Sequence, residues 1–182
     1  MDYGDRLGWP DRFADARHTE RQAVQVRASG ARFAYTPQVL VNGRDWRGWP
    51  VMPVGAAPAK VRVQLERLGA EQVQASVAAL AGAPPRLGLW WALLEDDHRT
   101  AVGAGENRGE QLRHDHVVRR HDTLPTWAAT SGDPPRVMRW LAHQNGEAGR
   151  RARLLVVVTD AATGAPLQAT QLDCQMPALR AG

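Results

Sequence analysis

The sequence predicts an α+β protein: a short helix-containing α/β unit, then an antiparallel β-sandwich of immunoglobulin-like type. Three observations lead there. A capped stretch over Ala16–Ser29 carries helical spacing. An Asn42-Gly43 step between two strand-forming runs marks a tight hairpin. Beyond Lys60 the apolar period changes to two and stays there. The boundaries drawn from these signals are residues 1–52 for the first unit, 53–60 for a linker and 61–182 for the sandwich.

In chain order, Asp15 is placed to cap the helix, Gly30 to close it, and Ala16, Ala23, Val24 and Val26 give it a weak apolar face. Extended chain runs through Phe33 and Tyr35 to Pro37. Val39–Val41 then pairs with Asp45–Trp49 across Asn42-Gly43. Met52–Pro58, rich in Pro, Gly and Ala, reads as the linker. Val61, Val63 and Leu65 alternate with polar residues, as do Val73, Ala75, Val77 and Ala79 after a turn near Gly69. These are two strands with one buried and one wet face. Leu87–Leu94 is a more apolar strand, ended by a charged turn at Glu95-Asp96-Asp97-His98. Further strands are expected at about 111–120, 136–142, 153–159 and 167–174, the last two joined by a turn over 160–166.

Composition narrows the function classes. Hydrophobic residues at 43% and charged residues at 23% fit a globular chain rather than a disordered one. The longest apolar runs are too short to span a bilayer, and the first residues carry no signal-peptide pattern. The net charge of +4 invites a nucleic-acid reading. The arginines are dispersed among 19 acidic residues, however, and no reading motif accompanies them, so no nucleic-acid partner is expected. Cys174, the sole cysteine, excludes an intrachain disulfide and any Cys-x-x-Cys chemistry. It is expected in a strand as a small packing residue.

Few residues suggest chemistry. His114 and His116, two apart on a predicted strand, share a face and are weak candidates for metal ligation. His121 has the opposite parity, and the competing reading is a solvent-facing polar strand. No metal or other cofactor is assigned. The glycine-rich stretch around Gly105, Glu106 and Asn107 lacks the Lys-Ser/Thr ending of a phosphate loop and reads as a strand connection. No nucleophile–base arrangement shows a spacing logic, so no catalytic residue is assigned. Alternation sends Trp91 to the face of Leu87, Leu89 and Leu93. It sends Trp90 to the opposite face, where it is a candidate interface residue.

Three segments together carry a resemblance. They are 2–9 with Asp11-Arg12-Phe13; Tyr35-Thr36-Pro37-Gln38 with Val41-Asn42-Gly43; and 102–109, continued by Val117-Val118-Arg119. They resemble a family of exported bacterial proteins of unknown function that join a thioredoxin-like domain to a β-sandwich. The resemblance implies a fold class of α+β: a partial thioredoxin-like α/β unit followed by an immunoglobulin-like β-sandwich. It implies a cis peptide bond before Pro37, and an exported, periplasmic or secreted location for the family. Family members begin with a signal peptide and a strand leading to a Gly-Cys-Ser-Ser-Cys-Pro-Pro type of loop, and neither stands in this sequence. Gly4 replaces a favoured Trp, and His114-Asp115-His116 replaces a stretch closer to Tyr-x-Asn. The expectation is therefore a truncated unit without a redox site, from a misassigned start or a decayed gene. A sheet lacking its first strand would expose an edge open to self-association. Two functions stay open: a thioredoxin-fold role in the cell envelope without redox activity, and a non-catalytic interaction module using the sandwich and Trp90.

Overall fold

The computed structural model describes residues 12–29, 31–53, 55, 57–69, 71–103, 108–142 and 150–174. Period-two alternation dictates most of what it contains. Val61–Arg67 (β3) and Gln72–Ala79 (β4) pair antiparallel, and Arg136–Leu141 (β9) joins β4 to complete a three-stranded sheet in the order β3-β4-β9. A four-stranded sheet runs in the order β11-β10-β5-β8. Its strands are Pro166–Cys174, Ala152–Asp160, Arg86–Glu95 and Val117–Ala128.

The two sheets enclose one core. Val61, Val73, Ala75 and Val77 from one meet Leu87, Leu89, Trp91, Leu93, Leu154, Val156 and Val158 from the other. The rings of Trp91 and Trp140 stack across it at 6.2 Å between centroids. The apolar run of β5 is buried on both faces, since Ala92 and Leu94 are also covered, as is Val157 beside them on β10. That is why its sequence reads as continuous rather than alternating. Cys174 is buried in the core at the end of β11. His98–Ala101 (β6) and Gln111–His114 (β7) form a separate two-stranded ribbon.

The α+β reading with a thioredoxin-like unit is overturned: the protein is mostly β. Ala16–Ser29 does form a helix (α1), the single helix among the described residues, but none of its residues is buried and Val24 is 58% exposed. An α/β unit needs a helix face packed on a parallel sheet. Here the extended chain before Pro37 joins no sheet. The hairpin contributes only Leu40–Val41 (β1) and Arg44–Asp45 (β2), and every ladder among the described residues is antiparallel. The hairpin turn itself follows local chemistry, with Asn42 and Gly43 both at positive φ (50° and 78°).

The expected strand over 111–120 is broken into β7 and β8 by a turn in which His116 takes φ 58°. Among the described residues no helix is long and apolar enough to cross a membrane.

Candidate functional site

The most chemically loaded place in the molecule grows from the end of β5. A register shift between Leu93 and Leu94 leads into Glu95, Asp96 and Asp97, with Asp97 at φ 62°. Four charged or polar residues stand in a row at 95–98, yet Glu95, Asp96 and His98 are 1%, 4% and 0% exposed. Burial on that scale requires partners. Arg153 donates to the Asp96 carboxylate, which also accepts the His116 backbone N–H at 2.9 Å. The His116 N–H, more than the Arg153 charge, holds the Asp96 carboxyl below its usual range. The Asp97 side chain meets Arg113, while its backbone N–H donates to Asp115 Oδ1 at 2.9 Å.

The Glu95–His98 pair is the centre of this turn. His98 Nε2 lies 2.8 Å from Glu95 Oε2, and Arg119 Nε lies 3.4 Å from the same oxygen. The other ring nitrogen, Nδ1, is 3.1 Å from Arg12 Nη2. A guanidinium has only N–H to offer, so Nδ1 accepts, and the ring proton sits on Nε2 facing Glu95. The result is a closed chain: Arg12 to His98, His98 to Glu95, and Arg119 to Glu95. Phe13 packs edge-on against the His98 ring at 4.8 Å. Its own ring is flanked by Arg12 at 4.6 Å and by Arg119 at 5.3 Å. The buried pair thus fixes two guanidiniums and one aromatic ring where the N-terminal segment meets β8.

Beside that anchor opens a cleft of about 240 Å³. Arg12, Phe13, Arg17 and His18 line it from the N-terminal side, and Val118, Arg119, Arg120 and His121 from β8. Among the described residues, Asp15 is the one carboxylate in its lining. It caps α1 by accepting the Arg17 N–H at 2.8 Å, and Arg17's side chain holds its carboxyl well below the usual range. His121 lies partly buried under the same surface, its ring 5.5 Å from Trp90. Its Nε2 is buried without a hydrogen-bond partner. Desolvation, aided by the charges of Arg21 and His18, pushes its pKa down to about 4, so the ring is neutral at neutral pH.

A second cleft, of about 500 Å³, lies beside Asp96, His116, Arg153, Asp173 and Cys174. Among the described residues, three carboxylates and two guanidiniums line it, and burial raises the Cys174 thiol pKa, the opposite of what a thiolate nucleophile needs.

The residues singled out in the sequence fall in different places. Tyr35 and Gln38 both donate to Asp45 Oδ1, at 2.6 and 3.2 Å, and Gln22 of α1 donates to the Tyr35 carbonyl at 3.2 Å. The Tyr35 bond lowers the Asp45 carboxyl pKa and raises that of the phenol. The Thr36–Pro37 bond is cis, as is Trp49–Pro50. Gly43 packs against the sandwich so closely that a Cβ there would lie 2.9 Å from Pro166 Cδ. Trp90 lies on the outer face of β5, with the Arg21 guanidinium 4.5 Å from its ring centre. His114 pairs opposite His98 in the β6–β7 ribbon, while His116 sits in the following turn, so the two do not share a strand face. Among the described residues no group of His, Cys, Asp and Glu is arranged to hold a metal ion. Gly105, Glu106 and Asn107 lie outside the described residues.

Glu95, His98, Arg12 and Arg119 were the residues that sequence reasoning missed as a group. A charged turn looks solvated, and its partners come from distant segments.

No curated protein matches the chain. The family model described as Protein of unknown function (DUF1223) matches residues 1–159, and the chain therefore belongs to that family.

Proposed function

We propose that this chain is a non-catalytic binding module that offers the cleft between its N-terminal segment and β8 to a ligand. The observation that carries the reading is the closed Arg12–His98–Glu95–Arg119 chain. A His–carboxylate pair in the open could act as a general base. Here the ring is fully buried and both its nitrogens are engaged, so it cannot reach a substrate proton. What the pair does instead is hold two cationic side chains and Phe13 in place, which lowers the ordering cost of binding. The position of Trp90 under Arg21 supports the same seam as the working surface, because the helix reaches the sheet beside the cleft.

The test is protein-observed NMR with a small fragment library, comparing wild type with Val118→Trp. Val118 lines the cleft and is 37% exposed, so the larger ring fills the space without entering the core. Binders are expected to shift amides of residues 13–18 and 118–121 in wild type, and those shifts should vanish in the variant. Binders mapping to the 33–52 segment, unaffected by Val118→Trp, would overturn the reading.

A further inference from the structure

We infer that the group this cleft receives is a small oxyanion, a carboxylate or a phosphate; the inference rests on the cleft being the binding site. The first support is charge. Among the described residues, three guanidiniums besides Arg12, which is engaged with His98, line the space against one carboxylate, and that carboxylate, Asp15, is already held by Arg17. Glu95 is met by the Nε of Arg119, and Asp122 lies 3.8 Å from one Nη of Arg120. An arginine carries five N–H groups in a planar fork, so both have donors beyond those ion pairs, in the geometry that suits a carboxylate or phosphate.

Size is the second support. At about 240 Å³ the cleft is smaller than the roughly 300–1,000 Å³ of most organic-ligand pockets. It suits an anionic headgroup better than an extended molecule. The third support is the setting. The half-buried rings of Phe13 and His121 flank an otherwise mostly polar lining and shield part of it from water, which strengthens charge interactions relative to open water.

The experiment titrates the full chain with inorganic phosphate, acetate and the neutral isostere acetamide. Chloride holds the ionic strength constant, and the readout is ¹⁵N NMR including the arginine Nε–H signals. Phosphate or acetate is expected to give saturable shifts at Arg119, Arg120 and Val118. A bound anion should also raise the His121 pKa from its low value, which a ¹H ring titration reads directly. Arg17→Gln should weaken binding by about tenfold, the scale of one charged hydrogen bond. Arg17 is 80% exposed and absent from the sandwich core, so this variant leaves that core untouched. Phosphate binding more tightly than acetate identifies a phosphoryl group, and the reverse identifies a carboxylate.

Linear, non-saturating shifts that are equal in wild type and Arg17→Gln would overturn the inference. If acetamide binds as tightly as acetate in wild type but not in Val118→Trp, the oxyanion is wrong and the cleft reading survives. If no probe, including the fragment library, senses Val118→Trp, the cleft reading itself fails.

Discussion

The sandwich and the N-terminal segment are held by different physics. In the sandwich, fifteen core side chains among the described residues are buried between two sheets, several with no solvent exposure at all. In the segment from Arg12 to Pro53, no helix residue is buried, and six large apolar residues stand exposed among those described: Val24, Phe33, Leu40, Trp49, Val51 and Met52. What holds this segment is polar and aromatic. It uses the Tyr35–Asp45–Gln38 network, Arg21 over Trp90, and Phe13 between two arginines at the buried His98. A core sustained by apolar area tolerates changes in its surroundings, whereas a seam held by directed contacts depends on each of them and on pH.

The largest expected effect follows from the first half of that contrast. Trp91 is 1% exposed and stacks on Trp140 across both sheets. Trp91→Ala removes the largest fully buried side chain among the described residues and should cost about 3–5 kcal/mol. The cost should appear as one cooperative fall in the urea midpoint, followed by intrinsic tryptophan fluorescence and by far-UV circular dichroism. Two separate transitions, or a loss under about 1 kcal/mol, would mean that the core does not carry the fold as its packing implies.

An intermediate effect concerns the seam and pH. His121 has its pKa lowered from 6.5 to about 4 in the folded chain. A group whose folded pKa lies below its unfolded one binds fewer protons when folded, so it stabilises the neutral-pH state. That contribution is whole above about pH 6.5 and is lost as the pH falls toward 4. The full shift would correspond to roughly 3 kcal/mol, and partial exposure of the ring reduces this to about 1–2 kcal/mol. Urea midpoints at pH 7 and 4.5 should show the loss, and His121→Phe should flatten it. An unchanged slope in the variant would place the acid sensitivity elsewhere.

How much of this was legible in the sequence depends on how local each cause is. The strands β3, β4, β5, β10 and β11 follow from alternation and from one continuous apolar run, because burial of a face is written residue by residue. The α1 span and the Asn42-Gly43 turn follow from caps and positive-φ residues, which are local as well. The thioredoxin-like α/β unit fails because helix and hairpin signals do not say what the elements pack against. The burial of the turn at 95–98, which reads in the sequence simply as a charged turn, is hidden for a related reason. The partners that permit its burial, Arg12 and Arg153, lie 86 residues before His98 and 57 residues after Asp96. Nothing in the spacing of a charged stretch says that a distant arginine will reach it.

The smallest expected effect isolates the helix. A 14-residue helix with no buried residue gains little from packing, and isolated helices of that length are marginal in water. Its local support includes Asp15, whose side chain accepts the Arg17 N–H and pairs with the Arg17 guanidinium. Asp15→Ala should therefore speed amide hydrogen exchange over 16–29 by about fivefold, the usual scale of a lost N-cap. Exchange in β5 and β10 should stay as it was, since those strands do not lean on the helix for their core. Equal acceleration in helix and strands would show that the two regions unfold as one unit, and the contrast drawn between them would then hold for contacts but not for stability.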